Sequence, residues 1–170
     1  MGVTGSIAAY KVCDLIRRLQ ERHFAVSVIM TREAEEFITP LTLSSLAGEE
    51  VYRDWFHESG IPWQMPHIQL AQDADVILIA PATAHFIGKL ACGLADDLLS
   101  CTVLATRTPV FIAPAMNTKM YAHRLVQENC QKLRKVGYKI IEPVEGKLAC
   151  GIIGEGHLPD IDKILKSIEK

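Results

Sequence analysis

Residues 76–84 read Val76-Ile77-Leu78-Ile79-Ala80-Pro81-Ala82-Thr83-Ala84, and residues 110–117 read Val110-Phe111-Ile112-Ala113-Pro114-Ala115-Met116-Asn117. Each opens with an apolar run rich in β-branched residues. A strand with one wet face alternates in polarity; an unbroken run is the pattern of a strand covered on both faces, as in a parallel sheet. Each run then reaches Ile-Ala-Pro-Ala, where the proline is expected to end the strand because it has no N–H to donate. Helical patterns and further short runs fill the chain on either side. Ala8, Val12, Leu15, Ile16 and Leu19 lie on one helix face, and residues 25–30 read as a strand. Residues 40–47 read as a short helix, with proline near its start and Gly48 at its stop. Residues 52–66 have no period and read as a loop. Residues 96–105 and 118–136 read as helices, the second stopped by Gly137. Residues 139–141 read as a last short strand, 144–157 as a glycine-rich loop and 160–169 as a closing helix. This alternation predicts a Rossmann-like, doubly wound parallel sheet in three α/β/α layers, with residues 1–170 as one domain.

Composition agrees. The chain has 170 residues, 49% hydrophobic and 22% charged, with a formal charge of −2. Those values exclude disorder, collagen and coiled coil, and offer no basic surface for nucleic acid or an anionic membrane. No apolar run is long enough to span a membrane, and the N-terminus lacks the regions of a signal peptide. The five cysteines show no C-x-x-C spacing, which fits a cytoplasmic protein and gives no metal signature. One feature is unusual. The first glycine turn arrives at residue 2, so only Met1 to Val3 remain for the first strand, against a usual length of about 5–6 residues. That strand is central in the common strand order, so it reads as truncated, with a natural start a few codons upstream.

Ligands of such sheets bind beyond the carboxyl ends of the strands. Gly2-Val3-Thr4-Gly5-Ser6 opens a helix there; its backbone N–H groups and the Ser6 hydroxyl suit a phosphate, or Ser6 merely caps the turn. It is neither G-x-G-x-x-G nor a Walker A sequence. Thr31 stands where a dinucleotide fold places an acidic residue for the ribose, which suits a mononucleotide better than NAD; its other reading is a cap for the helix near Glu33. The alanines of the two Ile-Ala-Pro-Ala segments let a flat heteroaromatic ring approach the backbone, and Thr83 and Asn117 add polar groups at the same edge; the other reading is two ordinary strand exits, which the pairing of the segments disfavours. Cys150, among the glycines of 146–156, is the thiol nominated as reactive. It lies on a segment read either as a flap closing over substrate or as a surface loop with an incidental thiol. Cys13, Cys92, Cys101 and Cys130 lie in helical patterns and read as core. His67 follows Pro66 and begins a helix, whose N-terminus favours a neutral ring able to act as a base; its other reading, the one spacing alone favours, is an exposed first-turn histidine. His23, His57 and His123 read as solvated.

Five blocks together resemble the flavin-dependent cysteine decarboxylases, most of all their bacterial phosphopantothenoylcysteine decarboxylase branch. They are residues 2–11, residues 37–43, His67 to Ala71 with Asp75, Pro114 to Tyr121, and Ala149-Cys150-Gly151 with Gly154 and Gly156. The P-A-M-N-x-x-M and A-C-G-x-x-G-x-G patterns are the specific ones. The resemblance implies FMN as cofactor and oxidative decarboxylation of 4′-phosphopantothenoyl-cysteine. In that chemistry the carbon bearing the thiol is oxidised, CO₂ leaves with its electron pair delocalised onto sulfur, and the enethiol is reduced to 4′-phosphopantetheine, toward coenzyme A. By motif match it implies His67 as base, Asn117 as holder of the substrate carboxylate and Cys150 as proton donor. Ala149 and Gly151 fall beside the substrate, and Gly5, Ser6, Ile7, Thr31, Thr83, Ala84, His85 and Met116 beside FMN. It also implies homotrimers or dodecamers with FMN at subunit contacts, and a separate ligase protein that supplies the substrate. Two positions depart from the family pattern: His85, where relatives often carry Asn, and His157, where an arginine often follows G-x-G. Alternatives of other kinds are a peptidyl-cysteine decarboxylase of lantibiotic type, a flavin prenyltransferase and a non-enzymatic flavin-binding regulatory subunit.

Overall fold

A computed structural model describes residues 1–53, 65–147, 151 and 153–169. Five parallel strands form one sheet in the order β2-β1-β3-β4-β5: β1 Gly2–Val3, β2 Ile29–Met30, β3 Ile77–Ala82, β4 Val110–Pro114 and β5 Lys139–Ile140. This is the doubly wound architecture expected from the apolar runs. β3 and β4 are buried along their whole length. Their side chains alternate between two cores: Leu78, Ala80, Phe111 and Ala113 on one face, Ile77, Ile79, Val110 and Ile112 on the other. Helices α1 Val12–Gln20, α2 Pro40–Ala47 and α8 Ile161–Ile168 cover the first core, and α4 Ala84–Ala91, α5 Leu98–Ala105 and α7 Arg124–Lys135 the second, where α3 Pro66–Asp73 packs on α5. Among the described residues, no helix is long and apolar enough to cross a membrane.

The structure corrects several local expectations. The apolar run at 25–30 is paired as strand only at Ile29–Met30. Its ladder partner β1 spans only Gly2–Val3, and a strand is defined where a neighbour supplies the bonds. Pro81 does not end β3: it sits inside the strand after a cis Ala80–Pro81 bond, where the register with β4 shifts between Ile79 and Ala82. The segment at 118–136 is two helices, α6 Thr118–Tyr121 and α7, because His123 is extended and caps α7. A helix at 84–91, absent from the sequence reading, follows β3 directly, capped by Thr83. The helix expected from residue 96 begins at Leu98, where Asp97 and Ser100 form a reciprocal capping box. The glycine-rich segment is an antiparallel ribbon, β6 Val144–Lys147 with β7 Ile153–His157, rather than a loop. Of the four cysteines read as core, only Cys130 is buried; Cys92 is exposed and Cys13 and Cys101 are partly so. Residues 54–64, including His57 and most of the expected 52–66 loop, lie outside the described residues.

Candidate functional site

A cleft of about 860 Å³ opens at the carboxyl end of the sheet, where the loops after β1, β2, β3 and β4 meet. Hydrogen bonds between loops distant in sequence hold it open. Thr4 Oγ1 donates to Pro81 O at 2.7 Å and accepts from Thr83 N at 3.0 Å, tying the first loop to the third. Ala115 N donates to Ala82 O at 3.0 Å, and Ala82 pairs with Pro114. The two Ile-Ala-Pro-Ala segments therefore lie side by side, which turns two small-residue exits into one flat-walled slot.

Of the residues nominated from sequence, Gly5, Ser6, Ile7, Thr31, Thr83, Ala84, His85, Met116, Asn117 and Gly151 all line this cleft. Ser6 caps the 3-10 turn Ile7–Lys11 that leads into α1, accepting from Ala8 N at 3.3 Å. Gly5 is required by close approach: a Cβ there would stand 2.5 Å from Glu33 Cβ and 2.9 Å from Glu33 O. Thr31 occupies the cap position of the turn Arg32–Ala34 but makes no capping bond. Its Oγ1 is buried and has no hydrogen-bond partner among the described residues. A buried hydroxyl beside a cleft with that capacity unspent suits a polar ligand atom. Thr83, by contrast, spends its hydroxyl on the cap of α4, accepting from Phe86 N at 3.2 Å. Asn117 caps α6 through Oδ1, which accepts from Lys119 N at 2.9 Å. Cys150 and Ala149 lie outside the described residues, and Gly151 is their described neighbour in sequence.

His67 lies in the first turn of α3, as expected from Pro66, but is not among the residues lining this cleft. Charged residues that the sequence reading passed over do line it. Lys89 is buried on α4, with Nζ 2.5 Å from Asp97 Oδ2 and 2.8 Å from Asp96 Oδ1. Burial alone lowers its ammonium pKa, but hydrogen bonds to Asp96 and Asp97 outweigh this and hold it above the usual lysine value. The legible signal was a lysine within an apolar helical pattern, with two aspartates just before the next helix. On the opposite wall, His157 Nδ1 lies 3.0 Å from Leu158 O, which can only accept, so Nδ1 carries the proton. The lone pair of Nε2 then accepts from Lys11 Nζ at 3.3 Å. Burial lowers the Lys11 pKa, and Asp160 partly opposes this.

The ribbon closes the fourth side. Met116 N donates to Gly156 O at 2.9 Å. Gly156 has φ +131°, and a Cβ there would overlap Met116 O; one at Gly154 would come within 2.6 Å of Thr118 Oγ1. The spaced glycines thus let the ribbon backbone rest directly on the P-A-M-N-T segment. A phosphate-bearing flat ring fits this arrangement. The start of the first helix and the spare Thr31 hydroxyl suit the phosphate, and the alanine-walled slot suits the ring.

Known proteins share both sequence and shape with this chain. A bifunctional protein of coenzyme A biosynthesis, CoaBC, from Bacillus subtilis is 49% identical over 168 residues, covering 99% of this chain and 41% of that protein. The chain thus spans about two-fifths of that relative's length. A probable phosphopantothenoylcysteine decarboxylase from Streptococcus mutans is 45% identical over 172 residues, covering 100% of this chain and 96% of that protein. Among solved structures, a cysteine-to-serine mutant of PPC decarboxylase complexed with pantothenoylaminoethenethiol superposes with a TM-score of 0.88 at 31% identity, covering 99% and 93% of the two chains. The FMN-dependent cysteine decarboxylase SpaF superposes with a TM-score of 0.85 at 34% identity, covering 98% and 91%. The model of the family described as Flavoprotein matches residues 1–170, and with a cleft shaped for a phosphate-bearing flat ring at the carboxyl edge of its sheet, the chain belongs to that family.

Proposed function

We propose that this chain is an FMN-dependent decarboxylase, converting 4′-phosphopantothenoyl-cysteine to 4′-phosphopantetheine and CO₂ in coenzyme A biosynthesis, in the cytoplasm. The observation that carries the reading is the docking of the glycine ribbon on the P-A-M-N-T segment at the mouth of the cleft. It sets the last two glycines of one specific pattern, Gly154 and Gly156, on the Met116 to Thr118 segment of the other. The names of the relatives, and the PPC decarboxylase complex whose fold this chain shares, support the same substrate.

FMN, when bound, supplies the oxidation of the thiol-bearing carbon and the later reduction of the enethiol. Gly5, Ser6 and Thr31 receive its phosphate, while Ile7, Thr83, Ala84, His85 and Met116 bound its ring. Asn117 holds the substrate carboxylate until CO₂ departs, with Ala149 and Gly151 beside the substrate. Cys150 delivers its thiol proton to the enethiol carbon. The test is turnover by FMN-loaded protein. Wild type is expected to release 4′-phosphopantetheine, and Cys150→Ser to accumulate the enethiol. Turnover of peptides ending in cysteine instead, or of no cysteine substrate by a flavin-loaded protein, would sink the reading.

His67 is the base, and it serves the cleft of a second copy within a homotrimer, or a dodecamer built from trimers. Its absence from the lining of its own cleft supports this. So does the apolar rim of Ile7, Tyr10, Phe37 and Met120, each about half exposed. Inactive His67→Asn and Asn117→Asp chains, unfolded and reassembled together, should then regain activity. In a random equal mixture roughly a quarter of all contacts, and about a third of those within mixed trimers, pair an intact His67 with an intact Asn117. No recovery in confirmed mixed trimers would return His67 to its own chain's cleft.

A further inference from the structure

A second cavity of about 910 Å³ lies between the first helix and α8. Tyr10 and Lys11 line both cavities, so the two adjoin across the turn before α1. Three lysines line the second one: Lys11, Lys163 and Lys166. The carboxylates there are Asp14, Asp160 and Asp162, and Asp162 is taken by Arg18, whose Nη2 lies 2.5 Å from Oδ1. Arg18 also pairs with Glu21 at 3.8 Å, so the charges around the cavity balance, and its lysines stand out by lacking an ion pair among the described residues rather than by an excess of charge. Lys11 Nζ lies 3.3 Å from His157 Nε2, and Lys163 donates to Glu142 O at 2.9 Å. Neither these two lysines nor Lys166 has an ion pair among the described residues. Ammonium groups that line one cavity without an ion pair suit a phosphate dianion.

The substrate read above is an extended chain, with the reacting cysteine at one end and a phosphomonoester at the other. With its carboxylate on Asn117, the phosphate end must leave the cleft. We propose that the cavity between the first helix and α8 is the subsite for that phosphomonoester, bound by Lys11, Lys163 and Lys166, with Tyr10 as the sill the chain crosses. This rests on the decarboxylase reading and names where its substrate's far end is recognised.

Calorimetric titration of the FMN-loaded protein with 4′-phosphopantetheine and with pantetheine tests it. Wild type is expected to prefer the phosphorylated form by about tenfold or more, and K163M/K166M to lose about tenfold of that preference. K163R/K166R should restore it, and K135M on α7, across the sheet, should keep it. A wild-type preference that survives K163M/K166M overturns the subsite and leaves the decarboxylase standing. Failure of both compounds to bind, together with no turnover of 4′-phosphopantothenoyl-cysteine, overturns both. Weaker FMN binding in K163M/K166M with an unchanged preference assigns the lysines to the cofactor's phosphate, and overturns the subsite too.

Discussion

Asn117→Asp is expected to lower kcat/KM by about a hundredfold or more while leaving the fold and FMN in place. Asn117 caps α6 through Oδ1, bonded to Lys119 N at 2.9 Å. Aspartate caps as well as asparagine, so α6 keeps its start. The opposite end of the side chain changes its nature. The amide offers an N–H₂ donor there, whereas aspartate offers only acceptors and a negative charge. A substrate carboxylate meeting that end loses a charge-assisted hydrogen bond and gains a like charge in a partly dry cleft. Steady-state kinetics, the flavin absorbance of the purified variant and its melting curve together check this. A kcat/KM within about threefold of wild type would remove Asn117 from the substrate carboxylate.

Gly156→Ala has an effect of comparable size through geometry rather than charge. The residue sits at φ +131°, where any other side chain costs about 1–3 kcal/mol in conformation alone. Its added methyl would also overlap Met116 O, a backbone atom that cannot swing aside as a side chain can. The bond from Met116 N to Gly156 O then cannot keep its 2.9 Å length. The expected outcome is an undocked ribbon, seen as faster proteolysis within 144–157 and a loss of turnover of about tenfold or more. Gly151 provides the contrast. It too has positive φ, at +83°, but a Cβ there meets nothing within 4 Å, so Gly151→Ala should cost only about 1–2 kcal/mol and leave the ribbon docked. If Gly156→Ala is cleaved and turns over like wild type, the ribbon does not depend on that contact.

Much of this site was legible one residue at a time. A proline just after each apolar run, small residues around it, a serine opening the first helix and a threonine after the second strand are local patterns. Each carries its own reason to lie at a strand end. The misreadings share a different cause. Pro81 stays in β3 because the strand tolerates a register shift beside β4, which depends on a neighbour more than thirty residues away. Residues 25–28 fall outside the strand because β1 is short, although Ser27 O accepts from Met1 N and Val28 O from Tyr52 N. Thr83 and Thr31 read alike as strand-exit hydroxyls, yet one is spent on a cap and the other is buried without a partner among the described residues. Lys89 and the helix that carries it drew no reading from the sequence, and only the fold brings Asp97 to 2.5 Å from it.

The amino-acid order alone was enough for the doubly wound sheet, its two buried central strands and the edge at which ligands bind. Periodicity and burial are properties of a segment and the solvent, and need no knowledge of distant partners. Tertiary structure decided which of the edge residues share a cleft. It put His67 outside that cleft, set the glycine ribbon on the P-A-M-N-T segment and ran a second, lysine-lined cavity up to Tyr10 and Lys11. Those outcomes depend on contacts between residues far apart in the chain, such as Thr4 with Pro81, Met116 with Gly156 and Lys11 with His157. Such contacts exist only after the chain has closed, so no local pattern encodes them.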